Sequence, residues 1–132
     1  MKTKFAALSF LLFILLLIAS ADAGRMPVVM QRMHAFPNGD RVCHVVLYGL
    51  LAFLLTRAFP RPFRFGRFPI PITLVALMIF TVAEEWSQAY FSARTADVVD
   101  LVCSCIGLLA GTWAAFRWMP QWRAPMRRIA DP

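Results

Sequence analysis

The segment that decides the fold reads FAALSFLLFILLLIASA and covers residues 5–21. It holds no charged residue, and a helix that crosses the hydrocarbon core of a bilayer needs about 20 apolar residues. Three further apolar segments of similar length follow at residues 41–59, 68–87 and 98–118, and turn-forming residues at 37–39 and 60–62 separate them. The sequence therefore predicts an all-α integral membrane protein with four transmembrane helices and short loops.

The composition supports a membrane protein over a soluble one. Apolar residues make up 60% of the chain and charged residues 16%, against about 45–50% and about 25% in soluble domains. The net charge of +7 comes from residues between and beyond the apolar segments, so we expect no nucleic-acid partner. Cys43, Cys103 and Cys105 form no CxxC motif and are interpreted as small buried apolar residues; a disulfide or a metal site is the alternative.

The first apolar segment has two interpretations. Lys2 and Lys4 precede it and residues 21–23 read ADA, which also fits a cleaved signal peptide and would leave three helices. Its length favours a retained helix. The predicted organisation is a first transmembrane helix or signal peptide at 1–23, an outer loop at 24–40, a three-helix region at 41–118 and a basic cytoplasmic tail at 119–132.

The basic residues predict the orientation. Four crossings put ten of the fourteen on one side: Lys2, Lys4, Arg57, Arg61, Arg64, Arg67, Arg117, Arg123, Arg127 and Arg128. The other side holds Arg25, Arg32, Arg41 and Arg94, together with six of the seven acidic residues. Because basic residues concentrate in cytoplasmic loops, both termini are predicted inside. The localisation predicted is the inner membrane of a bacterium, with several passes.

Polar groups from three predicted helices reach one depth near the outer interface. Counting about 20 residues per span at about 1.5 Å each gives this set of candidate binding residues: Asp40, His44, Glu84, Glu85, Gln88, Arg94 and Asp100. Spacings of three and four put Asp40, His44 and Tyr48 on one helix face, and Gln88 on the same face as both glutamates. Carboxylates at this depth are costly without partners, and Arg94 and His44 are the expected ones.

The last predicted helix carries a stripe of polar and small residues that should face the bundle. Asp97, Asp100, Ser104, Gly107 and Gly111 share this stripe, and glycines four residues apart allow two helices in lipid to approach closely. Helix packing is therefore the role predicted for Ser104, Gly107 and Gly111, and also for Tyr48. It follows that Asp100 should point inward.

Structural explanations exist for several of these acids. Asp40 follows Asn38-Gly39 and could be a helix N-cap. Asp97 could cap the last helix, with Asp100 in its first turn, where the helix dipole favours a negative charge. His44, Glu84, Glu85 and Gln88 have no capping role at their positions. Together with the other candidate residues they bring seven polar groups to one depth, which favours a binding site over helix capping alone.

The joint spacing of these residues resembles the VanZ-like family of small bacterial membrane proteins. The match runs from DRVCH at 40–44, with Tyr48 and the GLLAF run at 49–53 after it, through EEWSQ at 84–88 to Arg94, Asp100, Gly107 and Gly111. The resemblance covers residues 40–111 and depends on the joint spacing of these residues across three predicted helices. This chain has Ser104 where the family has asparagine, which puts a contact at that position in doubt.

The resemblance implies a cell-envelope protein but names no reaction. The leading interpretation is a non-enzymatic protein whose outer polar site binds membrane lipid headgroups, a lipid-linked cell-wall intermediate or an envelope partner, with an influence on glycopeptide resistance. One alternative is an enzyme that acts on a lipid phosphate; another is a purely structural or assembly subunit. No catalytic residue, metal ligand or cofactor is assigned, and a homo-oligomer remains open.

Overall fold

A computed structural model describes residues 1–65, 68–92 and 95–119. Its elements follow in chain order: α1 Lys2–Asp22, α2 Val28–His34, α3 Gly39–Ala58, β1 Pro62–Phe65, β2 Phe68–Pro71, α4 Ile72–Gln88 and α5 Val98–Arg117. Among the described residues, three helices are long and apolar enough to cross a membrane, namely α1, α3 and α5. The prediction of a mainly helical protein with membrane-spanning segments is confirmed at this level, although the described residues also include a two-stranded sheet.

The α1 helix packs against the bundle through one narrow face. Ala7, Ile14 and Ala21 are buried, and they stand seven residues apart, which places them on one side of the helix. The helix ends where Gly24 adopts a φ of 68°, and the backbone N–H groups of Gly24 and Arg25 donate to the carbonyl oxygens of Ala21 and Ser20. This is a Schellman motif, which a residue without a Cβ favours.

The closest helix contact joins α3 to α5, which run in the same direction. A Cβ atom built on Gly107 would lie 2.5 Å from the carbonyl oxygen of Val45, and one on Gly49 would lie 3.2 Å from that of Gly107. A Cβ on Gly111 would collide with the backbone of Gly49. Backbone therefore meets backbone, as predicted for Gly107 and Gly111; Gly49 is a third member of this contact.

The segment before α4 differs from the prediction. Residues 68–71, expected to begin the third span, form β2, which pairs antiparallel with β1 so that Pro62 stands opposite Pro71 and Phe63 opposite Ile70. Pro69 and Pro71 explain the difference, because proline lacks an N–H group and disfavours helical backbone in the residue before it. With Pro71 as its N-cap, α4 has 17 residues, and four spans are not established.

The predicted outer loop also contains a short helix. α2 begins after Pro27, and the Gln31 side chain donates to the Met26 carbonyl oxygen at 2.7 Å. The cap of α3 is Asn38, with a φ of 61°, so the interpretation of Asp40 as the N-cap is wrong; Asp40 lies in the first turn. Asp40 therefore belongs to α3 and lies where that helix begins.

Candidate functional site

A cavity of about 210 Å³ opens where α3 and α5 begin and α4 ends. One wall is apolar, and its residues come from α1, from α3 and from the segment around α2: Ile14, Leu17, Ile18, Ala21, Met26, Met30, Cys43 and Leu47. The other wall is polar: Asp40, His44, Tyr48, Glu84, Gln88, Thr95 and Asp100. We call it the two-walled cavity. Its size and division suit a small polar group attached to a hydrocarbon chain.

The α3 face of the polar wall follows from a spacing of four residues. Asp40, His44 and Tyr48 all line the cavity. The rings of His44 and Tyr48 are stacked, with centroids 5.9 Å apart and planes 4° apart. The Nδ1 atom of His44 lies 2.9 Å from the Oγ atom of Ser104, so this polar contact joins α3 to α5 at the level of the cavity.

The α4 face holds a compact network of hydrogen bonds. The Tyr48 hydroxyl donates to Oε2 of Glu84 at 3.1 Å. The side-chain amide of Gln88 donates to Oε1 of Glu84 at 3.0 Å and to Oε2 of Glu85 at 3.2 Å. Glu84, Glu85 and Gln88 are only 7%, 6% and 3% exposed. Buried carboxylates are costly without donors, and these neutral donors lower that cost.

The start of α5 is joined to the same network. The Asp97 side chain accepts from the backbone N–H of Val99 at 2.8 Å and caps the helix, as the structural interpretation predicted. The backbone N–H of Asp97 donates to Oε1 of Glu85 at 2.8 Å. Asp100, in the first turn, is half-buried and lines the cavity. One glutamate therefore connects α4 to the cap of α5.

The predicted residues fall into three groups. Asp40, His44, Glu84, Gln88 and Asp100 line the cavity. Glu85 lies outside the lining and is engaged with Asp97 and Gln88. Arg94, expected as the main cation, lies outside the described residues. Whether any of them binds a ligand stays a prediction.

Two residues predicted for helix packing also have polar roles. Tyr48 packs in the core and donates to Glu84. Ser104, 1% exposed, makes an inter-helix contact with His44 through its hydroxyl. Serine at this position therefore supports a polar contact between α3 and α5.

Sequence reasoning missed the apolar wall. Met26 and Met30 come from the predicted outer loop, and Leu17 comes from a segment that is apolar on every side. A uniformly apolar helix gives no periodic signal for the face that turns inward. Within the described ranges, no group of three or more His, Cys, Asp or Glu side chains is arranged to hold a metal ion.

Comparison with known proteins gives no relative for this chain. No family model, no curated protein and no solved structure matches it.

Proposed function

We propose that this chain is a VanZ-like protein of the bacterial inner membrane that binds an amphiphilic molecule from the outer leaflet. The single observation that carries the proposal is the two-walled cavity, with α1 hydrocarbon on one side and the polar ends of α3, α4 and α5 on the other. The ligand is a lipid headgroup or a lipid-linked cell-envelope intermediate, whose chain lies along Leu17 and Ile18. A change in glycopeptide susceptibility follows if the ligand is a cell-wall intermediate.

The proposal includes a fourth span and both termini in the cytoplasm. The 17 residues of α4 extend about 26 Å, close to the hydrocarbon thickness of about 30 Å. The side of α4 that faces away from the other helices carries Ile79, Val82 and Trp86, and Tyr90 follows just beyond its end. Tryptophan and tyrosine favour the membrane interface. These features support α4 as a short span, and the basic residues that precede it in the chain favour an orientation with Glu84 and Gln88 at the outer end.

Cysteine labelling tests this orientation. In a chain whose native cysteines are replaced by alanine, Ser92→Cys follows α4 and Arg61→Cys precedes β1; both positions are exposed. An impermeant maleimide added to intact cells should label Ser92→Cys and leave Arg61→Cys unlabelled until the membrane is opened. The reverse pattern would place the cavity at the cytoplasmic side and contradict the proposal.

A cavity-filling pair of variants tests binding. Leu17 lines the cavity, whereas Leu16, its neighbour on α1, is 60% exposed. Leu17→Trp should fill the space and reduce the lipid that co-purifies with the protein in mild detergent by about tenfold, since a lost contact worth 1.4 kcal/mol has that effect. Leu16→Trp should leave the bound lipid unchanged. Equal lipid content in both variants would contradict a ligand in this cavity.

A structural role is the second candidate, and one observation favours it. Glu85 receives hydrogen bonds from Gln88 and from the Asp97 backbone, so part of the polar set binds α4 to α5 directly. In that case Leu17→Trp would alter neither the bound lipid nor the envelope phenotype, and only variants that unfold the protein would do so. A chemical change in a lipid incubated with the pure protein would instead favour the enzyme alternative.

A further inference from the structure

The end of the bundle opposite the cavity carries positive charge without acidic neighbours among the described residues. The described ranges hold six acidic residues, and all of them lie at the cavity end: Asp22, Asp40, Glu84, Glu85, Asp97 and Asp100. The 20 residues of α3 extend about 30 Å, and at its other end Lys4, Arg57 and Arg61 are exposed. An anionic group that approaches this end meets cations and no described carboxylate.

These three cations stand around one aromatic ring. The Nζ atom of Lys4, on α1, lies 5.8 Å from the centroid of the Phe59 ring. Arg57 and Arg61 are two residues before and two residues after Phe59 in the chain. The backbone N–H of Arg61 donates to the Phe59 carbonyl oxygen at 2.8 Å, and the Arg61 carbonyl oxygen accepts from Ile72 at 3.0 Å. We call Lys4, Arg57 and Arg61 the Phe59 cluster; backbone hydrogen bonds fix the turn that carries Arg61.

The side chains of the Phe59 cluster keep their hydrogen-bond donors. The Cζ atom of Arg57 lies 5.6 Å from the centroid of the Phe53 ring, and a cation over an aromatic face is attracted without giving up an N–H group. Within the described ranges, the side chains of the cluster donate no hydrogen bond and form no ion pair. Lysine has three donors and arginine five, and the arginine fork matches two oxygens of a phosphate.

An apolar strip begins beside the Phe59 cluster. Lys4, Leu8 and Leu12 are spaced by four residues and share one face of α1. Leu8 and Leu12 are exposed, so this face of α1 is covered by no described part of the chain. A hydrocarbon chain attached to a phosphate at Lys4 can lie along both leucines. A free phosphate leaves them uncovered, so the strip favours a lipid over a soluble anion.

From the Phe59 cluster and the strip beside it, we infer that this end of the bundle binds the phosphate of an anionic phospholipid. The inference goes beyond the proposed function, because it names a second lipid site about the length of α3 away from the cavity. In the proposed orientation this end faces the cytoplasmic leaflet, whose anionic lipids attract basic residues. One headgroup then contacts Lys4 on α1 and Arg57 on α3, and it joins these two helices.

Lipid competition tests this site with the full-length chain. The protein is placed in nanodiscs made from equal amounts of phosphatidylglycerol and phosphatidylcholine, and the retained lipids are measured by native mass spectrometry. Phosphatidylglycerol should be retained at least about fivefold over phosphatidylcholine, the effect expected of one basic residue near an anionic lipid. Equal retention would overturn the inference. Inorganic phosphate should displace little of the lipid; full displacement would overturn the assignment to a lipid.

Matched variants separate a site from diffuse attraction. Arg61→Gln removes one charge from the Phe59 cluster, and Arg32→Gln removes one from an exposed residue of α2 at the cavity end. The preference should fall about fivefold in Arg61→Gln and persist in Arg32→Gln. Arg61→Lys should recover only part of it, because lysine lacks the planar fork. If Arg61→Gln does not fold, Lys4→Gln makes the equivalent change from α1. An equal fall in the Arg32 variant would show diffuse attraction only and overturn the inference.

A cavity variant keeps the two lipid sites apart. Leu17→Trp fills the cavity, and the preference for phosphatidylglycerol should remain in this variant, because the Phe59 cluster is at the other end of α1. Loss of the preference in Leu17→Trp would place the anionic lipid in the cavity and overturn the second site. A preserved preference with unchanged total lipid would instead overturn cavity binding and leave the second site standing.

Discussion

Two faces of α3 differ in how they meet the rest of the bundle. One face carries Gly49, whose backbone touches that of Gly107 and Gly111 on α5 without intervening side chains. The other carries Asp40, His44 and Tyr48, which border the cavity. The same helix therefore has a closed face, which packs backbone to backbone against α5, and an open face, which borders the cavity.

This difference indicates how a small bundle can keep an open site. In lipid, close backbone packing replaces the hydrophobic effect as the source of helix association. The close contact fixes α3 and α5 relative to each other, and the polar contact between His44 and Ser104 lies on the same pair of helices.

The largest effect should come from breaking the closed face. A Cβ at residue 111 would collide with the Gly49 backbone, and backbone cannot rotate away as a side chain can. Gly111→Leu should therefore lower the free energy of unfolding by at least about 3 kcal/mol, seen as a large fall in thermal stability in detergent. Ala110→Leu is the control, because residue 110 is exposed on the same helix. Equal stability of the two variants would contradict the tight contact.

A smaller loss should follow from cutting the link between α4 and the cap of α5. Glu85→Ala removes the acceptor of the Asp97 N–H group and one acceptor of Gln88, which should cost about 1–3 kcal/mol. Glu85→Gln keeps one carbonyl oxygen for Asp97 and should recover part of the loss. Thermal unfolding of both variants measures the difference. If Glu85→Gln is as unstable as Glu85→Ala, charge and not the hydrogen bond holds the link.

The hydroxyl at the edge of the cavity should contribute less. Tyr48→Phe removes the donor to Glu84 while keeping the ring stacked on His44. Hydrogen bonds between helices in membranes are worth about 0.6 kcal/mol on average and about 1.7 at most, so a loss of about 1 kcal/mol is expected. Tyr90→Phe, at a residue 80% exposed, should have no effect. A Tyr48→Phe variant as stable as Tyr90→Phe would show that Glu84 does not need this donor.

The residues on the two faces of α3 were not equally predictable from the sequence. Spacings of four residues were enough to put Asp40, His44 and Tyr48 on one face and Glu84 with Gln88 on another, because helix geometry is local. The Asp100 to Gly111 stripe was likewise assigned to the bundle. Gly49 was not assigned to packing, because its partners are 58 and 62 residues away in the chain and one glycine carries no pattern.

The open face was harder to predict because its walls come from distant segments. Hydropathy locates α1 but not the side on which Ile14 and Leu17 turn inward, since every side is apolar. The hydropathy of residues 68–71 also gave no indication of the hairpin before α4, although Pro69 and Pro71 interrupt this apolar run. Predicting that the polar residues lie at one level needed only residue counts, whereas predicting the cavity needed the tertiary arrangement of five helices.

A direct test of the open face, read from lipid exchange, should come from tethering α2 to α3. The Sδ atom of Met33 lies 3.7 Å from the Sγ atom of Cys43, and Met30 on the same short helix lines the cavity. In a chain whose Cys103 and Cys105 are alanine, Met33→Cys should form a disulfide with Cys43 under mild oxidation. Peptide mass spectrometry detects the bond, and Cys43→Ser in the same background is the control that cannot form it. Because the tether holds the Met30 wall against the cavity, exchange of a bound fluorescent lipid should slow and should recover after reduction. An oxidised variant that exchanges lipid at the control rate would show that the α2 wall does not move when the cavity opens.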